Sequence, residues 1–315
     1  FRNMITWWRY DFEGAVQNAL GISGRELHRR WVISLKERYQ LQKTEIIDGL
    51  AIGQSIQTKG YLNLSPKWSP DGKSLAYLSN EGNDYARTAL YTLDFSDSTR
   101  KLVTSGARTN FDWSPDGTQL LFVKRSRPNR QGSKFWDLYQ VQPSTSSKQN
   151  GLKLLKNIVG FSNGIQPNVT RLSHDLRALY PAWSPDGTSI AFIKNHGGST
   201  NLCILGTEDS TNTINYLTTF DDGTQVYTPQ WSPDGKQIAF SIFHPNGNRK
   251  IVLIPSKGGK PVDIIDSYGT DRDPCWTPDG TGLIFASDQG GIFDLYHLTL
   301  ADRTVHRLTR VLGGA

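Results

Sequence analysis

The amino-acid sequence predicts an all-β fold: a β-propeller of four-stranded blades preceded by two short α-helices. Three observations predict it. One phrase recurs five times, as KWSPDG at 67–72, DWSPDG at 112–117, AWSPDG at 182–187, QWSPDG at 230–235 and CWTPDG at 275–280. Its tryptophans, Trp68, Trp113, Trp183, Trp231 and Trp276, stand 45, 70, 48 and 45 residues apart. Each interval holds several strand-like runs, and a period of about 40–50 residues built this way is the signature of propeller blades. A catalytic motif is usually written once, so a phrase written five times reads as a structural unit.

The first 45 residues have no strand period. Asp11 caps a short helix that runs to Ala19–Leu20 and is ended by Gly21. Ser23–Glu26 reads as a capping box, and Leu27, Trp31, Leu35 and Tyr39 then recur at i+4 as one apolar stripe. The propeller follows, over 46–315. In each blade an inner strand ends in Trp-Ser or Trp-Thr. A Pro-Asp-Gly turn reverses the chain, with Asp71, Asp116, Asp186, Asp234 and Asp279 followed by Gly72, Gly117, Gly187, Gly235 and Gly280. Proline presets φ, Asp hydrogen-bonds locally and Gly accepts positive φ. The second strands are apolar runs of four: 75–78, 120–123, 190–193, 238–241 and 283–286. Such runs suit strands sandwiched between neighbouring blades. Third strands are expected at 89–94, 137–142, 201–206, 250–255 and 294–299. Outer strands are expected at 100–104, 169–173, 215–219, 261–265 and 306–310. The 70-residue interval carries a polar insertion, 143–167. Each Trp is expected to pack between neighbouring blades.

The chain has 315 residues and a net charge of +6, and no apolar run approaches a membrane-spanning length. Cys203 and Cys275 fall in strand-like text and read as buried free thiols rather than a disulfide. The charge is uneven: Lys124, Arg125, Arg127, Arg130, Lys134, Lys148, Lys153 and Lys156 face only Asp137. That excess suits an acidic partner or nucleic acid, but no aromatic residues are interleaved at stacking intervals, so a solvated basic loop is the expected form and no nucleic acid is expected. Gly160–Gly164 has the spacing of a serine-nucleophile elbow but lacks the strand before and the helix after. His196-Gly197-Gly198 reads as a hairpin turn, and Asp221-Asp222-Gly223 as a solvated turn with too few oxygens for a cation. The sequence calls for no catalytic centre, metal or cofactor.

The pattern Pro-x-Trp-Ser-Pro-Asp-Gly, then Ile-Ala-Phe, Leu-Tyr and Arg-Leu-Thr, resembles the TolB-like, or PD40, propeller repeat. Blade 2 departs from it, with Phe111 where the others carry Pro66, Pro181, Pro229 and Pro274. The resemblance implies a protein that is typically six-bladed, periplasmic or secreted, and used for protein contact. Residues 1–45 weakly resemble the closing helices of a gluzincin-type zinc peptidase domain, although no H-E-x-x-H is present and His28 has no second His at the required spacing. The expected function is therefore a non-catalytic interaction module with a protein or peptide partner, and the second resemblance implies contact with an upstream peptidase domain. The alternative is the propeller of a prolyl oligopeptidase-type serine peptidase without its hydrolase domain. In the first reading the partner meets the loops before each Pro-x-Trp, through Asn63, Asn110, Tyr180, Tyr227, Asp271, Arg272 and Asp273. The same residues would equally serve to satisfy loop backbone. Residues 51–60 read as an outer strand and 307–315 as the approach to another blade, so a split sixth blade and a gap in the ring are also expected.

Overall fold

The computed structural model describes residues 12–50, 54–82, 87–143, 169–207, 213–245, 247–265 and 267–311. The readings placed on Asp11, on most of the 143–167 insertion with its Gly160–Gly164 motif, and on Lys148, Lys153 and Lys156 lie outside the described residues. The chain divides into two compact units, the helices grouped with the C-terminal residues from Thr309, and Gln54–Leu308.

In the helical unit, α1 spans Phe12–Leu20 and α2 spans Gly24–Asp48. Gly21, at φ +70°, ends α1. Ser23 caps α2, its Oγ accepting the Glu26 N–H at 3.1 Å. Only this half of the expected capping box forms, because the Glu26 carboxylate turns to Arg29 and Arg30 at 2.8 and 2.7 Å. These partners hold the Glu26 carboxyl down at about 2. His28 is exposed, its ring 5.8 Å from that of Trp31.

The second unit is built from five four-stranded antiparallel sheets, each of four consecutive strands. Blade 1 comprises β1 (Asn63–Trp68), β2 (Ser74–Ser79), β3 (Ala89–Asp94) and β4 (Arg100–Ser105). Blade 2 comprises β5 (Ala107–Trp113), β6 (Leu120–Arg125), β7 (Trp136–Val141) and β8 (Val169–Arg171). Blade 3 comprises β9 (Ala178–Trp183), β10 (Ser189–His196), β11 (Ser199–Gly206) and β12 (Ile214–Tyr216). Blade 4 comprises β13 (Gln225–Trp231), β14 (Gln237–Phe243), β15 (Arg249–Pro255) and β16 (Val262–Asp263). Blade 5 comprises β17 (Asp271–Trp276), β18 (Gly282–Ser287), β19 (Asp294–Thr299) and β20 (Val305–Arg307).

The apolar runs become the core. Phe122, Phe192, Phe240 and Phe285 are buried at one repeat position of the second strands, and the clusters around them join each blade to a neighbour. Inner strands pack in sequence, β1 on β5, β5 on β9, β9 on β13 and β13 on β17. No packing of that extent joins β17 to β1 among the described residues. Residues 54–62 are not a strand, contrary to the sequence expectation. The outer position of blade 1 is already filled by β4, and Gln57 is instead held by its side chain, which donates to the Tyr77 hydroxyl at 3.2 Å.

The recurrent tryptophan forms a ladder. The indole N–H of Trp113 donates to the Lys67 carbonyl at 3.2 Å, that of Trp231 to Ala182 at 3.2 Å, and that of Trp276 to Gln230 at 3.1 Å. Each acceptor immediately precedes the previous blade's tryptophan. Trp113 is 8% exposed, whereas Trp68, with no blade before it among the described residues, is 52% exposed and lies over Phe95.

The five turns are alike. In blade 4 the Ser232 hydroxyl donates to Asp234 Oδ1 at 2.6 Å, Lys236 N donates to the same oxygen at 3.1 Å, and Gly235 sits at φ +70°. These bonds hold every turn carboxyl below its usual value, Asp279 at about 2. A depressed carboxyl contributes stability above its unfolded pKa and loses it as pH falls through the folded one. Asp234→Ala should therefore lower the melting temperature at pH 7 and leave ligand binding intact. The gap from wild type should narrow as pH falls below about 4, the unfolded carboxyl value. An unchanged gap in a thermal melt at pH 2 would remove the turn carboxylate as its cause.

Candidate functional site

The inner strands are not regular. Their pairing with the second strands skips between Leu64 and Lys67, Arg108 and Phe111, Leu179 and Ala182, Tyr227 and Gln230, and Arg272 and Cys275. At each skip one non-glycine residue is left-handed: Ser65, Thr109, Tyr180, Thr228 and Asp273, with φ of 52°, 69°, 50°, 45° and 56°. A bulge of this kind bends the strand and re-aims side chains, and each left-handed residue costs about 1–3 kcal/mol that the surrounding sheet must offset. Four of the five precede a proline, which keeps them out of the right-handed helical region. In blade 2, Phe111 replaces that proline, is fully buried, and the left-handed residue moves back one place to Thr109.

Five of the seven residues singled out from sequence fall in blades 3 to 5. The Tyr180 and Tyr227 rings meet edge-on at 6.1 Å. The Arg249 guanidinium lies 3.9 Å over the Tyr227 ring, and that of Arg272 lies 3.9 Å over Phe293. Arg272 Nε is 3.8 Å from Asp273 Oδ2, and Asp273 N donates to Ser241 Oγ at 3.1 Å. Ser241 is also the cross-strand partner of Tyr227, so Tyr227 and Asp273 flank one residue. Burial pushes the Tyr180 phenol up, against the pull of Arg249. Burial likewise pushes the Asp271 carboxyl up, against the hydrogen bond it accepts from Ser267 at 2.5 Å.

The two asparagines do not join this group. Asn63 is exposed and donates to the Lys59 carbonyl at 3.1 Å. Asn110 is buried, its Oδ1 accepting the Phe111 N–H at 2.9 Å. Arg249, Phe293 and Thr228 belong to the group and were not singled out from sequence. The available signal was register: the start of a third strand and the start of an inner strand lie at the same end of a blade, so Arg249 and Phe293 share an end with Tyr227 and Arg272.

Four buried side-chain polar atoms lack a hydrogen-bond partner among the described residues: Trp183 Nε1, Thr228 Oγ1, Asp271 Oδ1 and Arg272 Nε. All four lie on the inner strands of blades 3, 4 and 5. An unsatisfied buried group costs about 1–3 kcal/mol; Thr228, Asp271 and Arg272 lie at or just before the inner-strand bulges of blades 4 and 5, whereas Trp183 ends β9 beside its Pro-Asp-Gly turn. Two guanidinium groups over aromatic rings, with two tyrosines and one exposed carboxylate, suit recognition by cation–π contact and charge-assisted hydrogen bonds.

The other candidate motifs resolve as turns. His196 pairs with Ser199 across Gly197 and Gly198, at φ 61° and 88°. Asp222 Oδ1 accepts the Thr224 N–H at 3.0 Å within its own loop. A groove of about 740 Å³ between the blade 3 and blade 4 turns is lined by Pro185, Asp186, Trp231, Pro233 and Asp234. Its walls are the element repeated in every blade, which gives this copy no chemistry of its own. Both cysteines are free, but only Cys203 is buried, and burial pushes its thiol up to about 12. Cys275 is exposed, a correction to the sequence expectation: it sits on β17, the inner strand of blade 5, where the pairing with β18 skips.

Comparison with known proteins bears on this arrangement. The TolB beta propeller domain family (PD40) matches residues 156–313. The Tol-Pal system protein TolB of Alcanivorax borkumensis is 37% identical over 84 residues, 26% of this chain and 18% of that protein. The uncharacterized peptidase YuxL of Bacillus subtilis is 29% identical over 145 residues, 41% of this chain and 21% of that protein. The chain thus spans about a fifth of the curated relatives it matches. Among solved structures, TolB from Acinetobacter baumannii superposes with a TM-score of 0.60 at 25% identity, covering 80% of this chain and 55% of that one.

Proposed function

The chain belongs to the TolB beta propeller domain family, and on that premise we propose that Gln54–Leu308 is a non-catalytic protein-binding module. Its recognition surface is the arc of inner strands in blades 3 to 5, with Tyr180, Tyr227, Arg249, Arg272 and Asp273 as contacts. The observation that carries this reading is the ring contact of Tyr180, Tyr227 and Arg249 on that arc, with Arg272 and exposed Asp273 on the neighbouring inner strand. A peptide segment entering there would meet the Arg and Tyr anchors and exposed Asp273, which the rigid blades hold in place without ordering cost. The protein acts outside the cytoplasm, periplasmic or secreted, as the likeness to TolB suggests, and residues 1–45 close an upstream domain. Among the described residues no helix is long and apolar enough to cross a membrane.

A second reading has its own support in the peptidase relative: the propeller would steer peptides toward a hydrolase domain. The test separates the two. Selection of a random peptide library on this chain should enrich binders that lose affinity on Arg272→Ala and keep it on Asp234→Asn. Binders indifferent to Arg272 would sink the inner-strand site. Fluorophosphonate labelling of the whole gene product would favour the peptidase reading.

A further inference from the structure

The basic stretch after β6 was expected from sequence to be a solvated loop, on the ground that no aromatic residues are interleaved with its charges. The fold supplies them. The hairpin joining β6 to β7 is ordered around Asn129, whose Oδ1 accepts the Gln131 and Ser133 N–H groups at 3.0 and 2.9 Å. It ends in Phe135 and Trp136, both half-buried. The Arg108 guanidinium, from the inner strand of the same blade, lies 5.8 Å from the Trp136 ring. The Arg177 guanidinium, from the approach to blade 3, lies 5.1 Å from the Phe135 ring. Arg177 is also left-handed, at φ 57°, a strained conformation for a residue with a long side chain.

Arg108, Arg125, Arg127, Arg130, Lys134 and Arg177 are all exposed, and none has a carboxylate partner within ion-pair distance among the described residues. The two acids nearby are engaged elsewhere: Asp137 is buried against Arg171 at 2.7 Å, and Asp175 lies 3.7 Å from the same Arg171. A cluster of like charges destabilises the fold that carries it. Here it is held together by two aromatic platforms that fix planar guanidinium groups.

We propose that this end of blade 2 is a docking surface for an acidic protein segment, separate from the inner-strand arc and independent of the reading given for it. Five of the six cations are arginines, whose fork matches a carboxylate bidentately, and cation–π contact with Phe135 and Trp136 restrains two of them. The six-cation excess lies on blade 2 and its junction; Arg249, Lys250 and Arg272 stand at the same end in blades 4 and 5, but among acids. At the same end, blade 4 is approached through exposed Asp221 and Asp222, and blade 5 presents Asp273. At the opposite end every blade carries a turn aspartate. A polynucleotide or a flat anionic membrane would have to cross those acids, whereas a short acidic segment covers one blade alone.

The test is binding of a short fluorescein-labelled Asp/Glu peptide by polarisation. Replacing Arg108, Arg125, Arg130 and Arg177 by Gln should weaken it about tenfold or more, and added salt should weaken the wild-type complex, as for any exposed charge pairing. Replacing Lys73, Lys236, Lys257 and Lys260 by Gln, at the opposite end of the blades, removes the same charge and should change affinity less than about twofold. The pair Arg108→Lys and Arg177→Lys keeps the charge and loses the planar fork, and should fall between, which also keeps the test open where the Gln variant folds poorly. Equal loss in both Gln variants would reduce the effect to net charge and overturn the proposal. Tighter binding of a single-stranded oligonucleotide or of phosphatidylglycerol vesicles than of the peptide would overturn it as well.

Discussion

Asp137→Ala will destabilise the propeller unit by about 1–3 kcal/mol, the usual cost of leaving buried polar groups without their partner. Asp137 is fully buried at the start of β7, and Arg171 is 28% exposed at the end of β8. One carboxylate serves three groups there. Oδ2 accepts from Arg171 at 2.7 Å, and Oδ1 accepts the Leu176 N–H at 2.9 Å and the Ser173 hydroxyl at 3.2 Å. It thus fastens the outer strand of blade 2 and the backbone that leads into blade 3. Alanine would strand the buried Leu176 N–H and leave Arg171 with only the Ser173 carbonyl and the more distant Asp175. The position recurs: Asn201 in blade 3 accepts from Phe220 N at 2.6 Å and Thr218 Oγ1 at 3.0 Å, and Asp294 in blade 5 pairs with Arg307. Asp137→Asn, which can still accept from Leu176, should therefore cost clearly less than Asp137→Ala. Urea unfolding followed by fluorescence reads the difference; equal midpoints for wild type and Asp137→Ala would show that the clamp is not stabilising.

The repeat made most of the fold legible. Trp-Ser-Pro-Asp-Gly specifies a hairpin through local chemistry alone, and the apolar runs after it specify a strand covered on both faces, so blade number and strand order follow from text. What stayed hidden depends on groups distant in sequence. No local signal says that Ser65, Thr109, Tyr180, Thr228 and Asp273 are left-handed, because a non-glycine residue takes that conformation only when the sheet imposes it. Tyr227 and Arg272 were visible as the type of residue that binds, but the Arg249 and Phe293 that hold or support them come from other strands. The aromatic platforms of the basic hairpin were missed for the same reason, since Arg108 and Trp136 are neighbours only across the blade. Conversely, Asn63 and Asn110 share a sequence position with the site residues but fall in blades 1 and 2, where their amides are absorbed by backbone.

Tyr227→Ala is expected to weaken any peptide selected on the inner-strand arc by about thirtyfold or more, the range of a truncated Tyr or Arg anchor. The size follows from what the ring holds. Arg249 lies 3.9 Å above it and Tyr180 meets its edge at 6.1 Å, so its loss frees a guanidinium and a second aromatic at once. Two side chains that were preorganised would then have to be ordered by the ligand, at about 0.5–1.5 kcal/mol each. Tyr227→Phe keeps the ring and should bind within about threefold of wild type if stacking, rather than the hydroxyl, does the positioning. Titration of both variants by isothermal calorimetry, with Asp234→Asn as a control in a turn at the far end of the same blade, decides the matter. A thirtyfold loss shared by Tyr227→Phe would move recognition to the hydroxyl. A loss shared by Asp234→Asn would mean that the blade as a whole, and not this arc of it, sets the affinity.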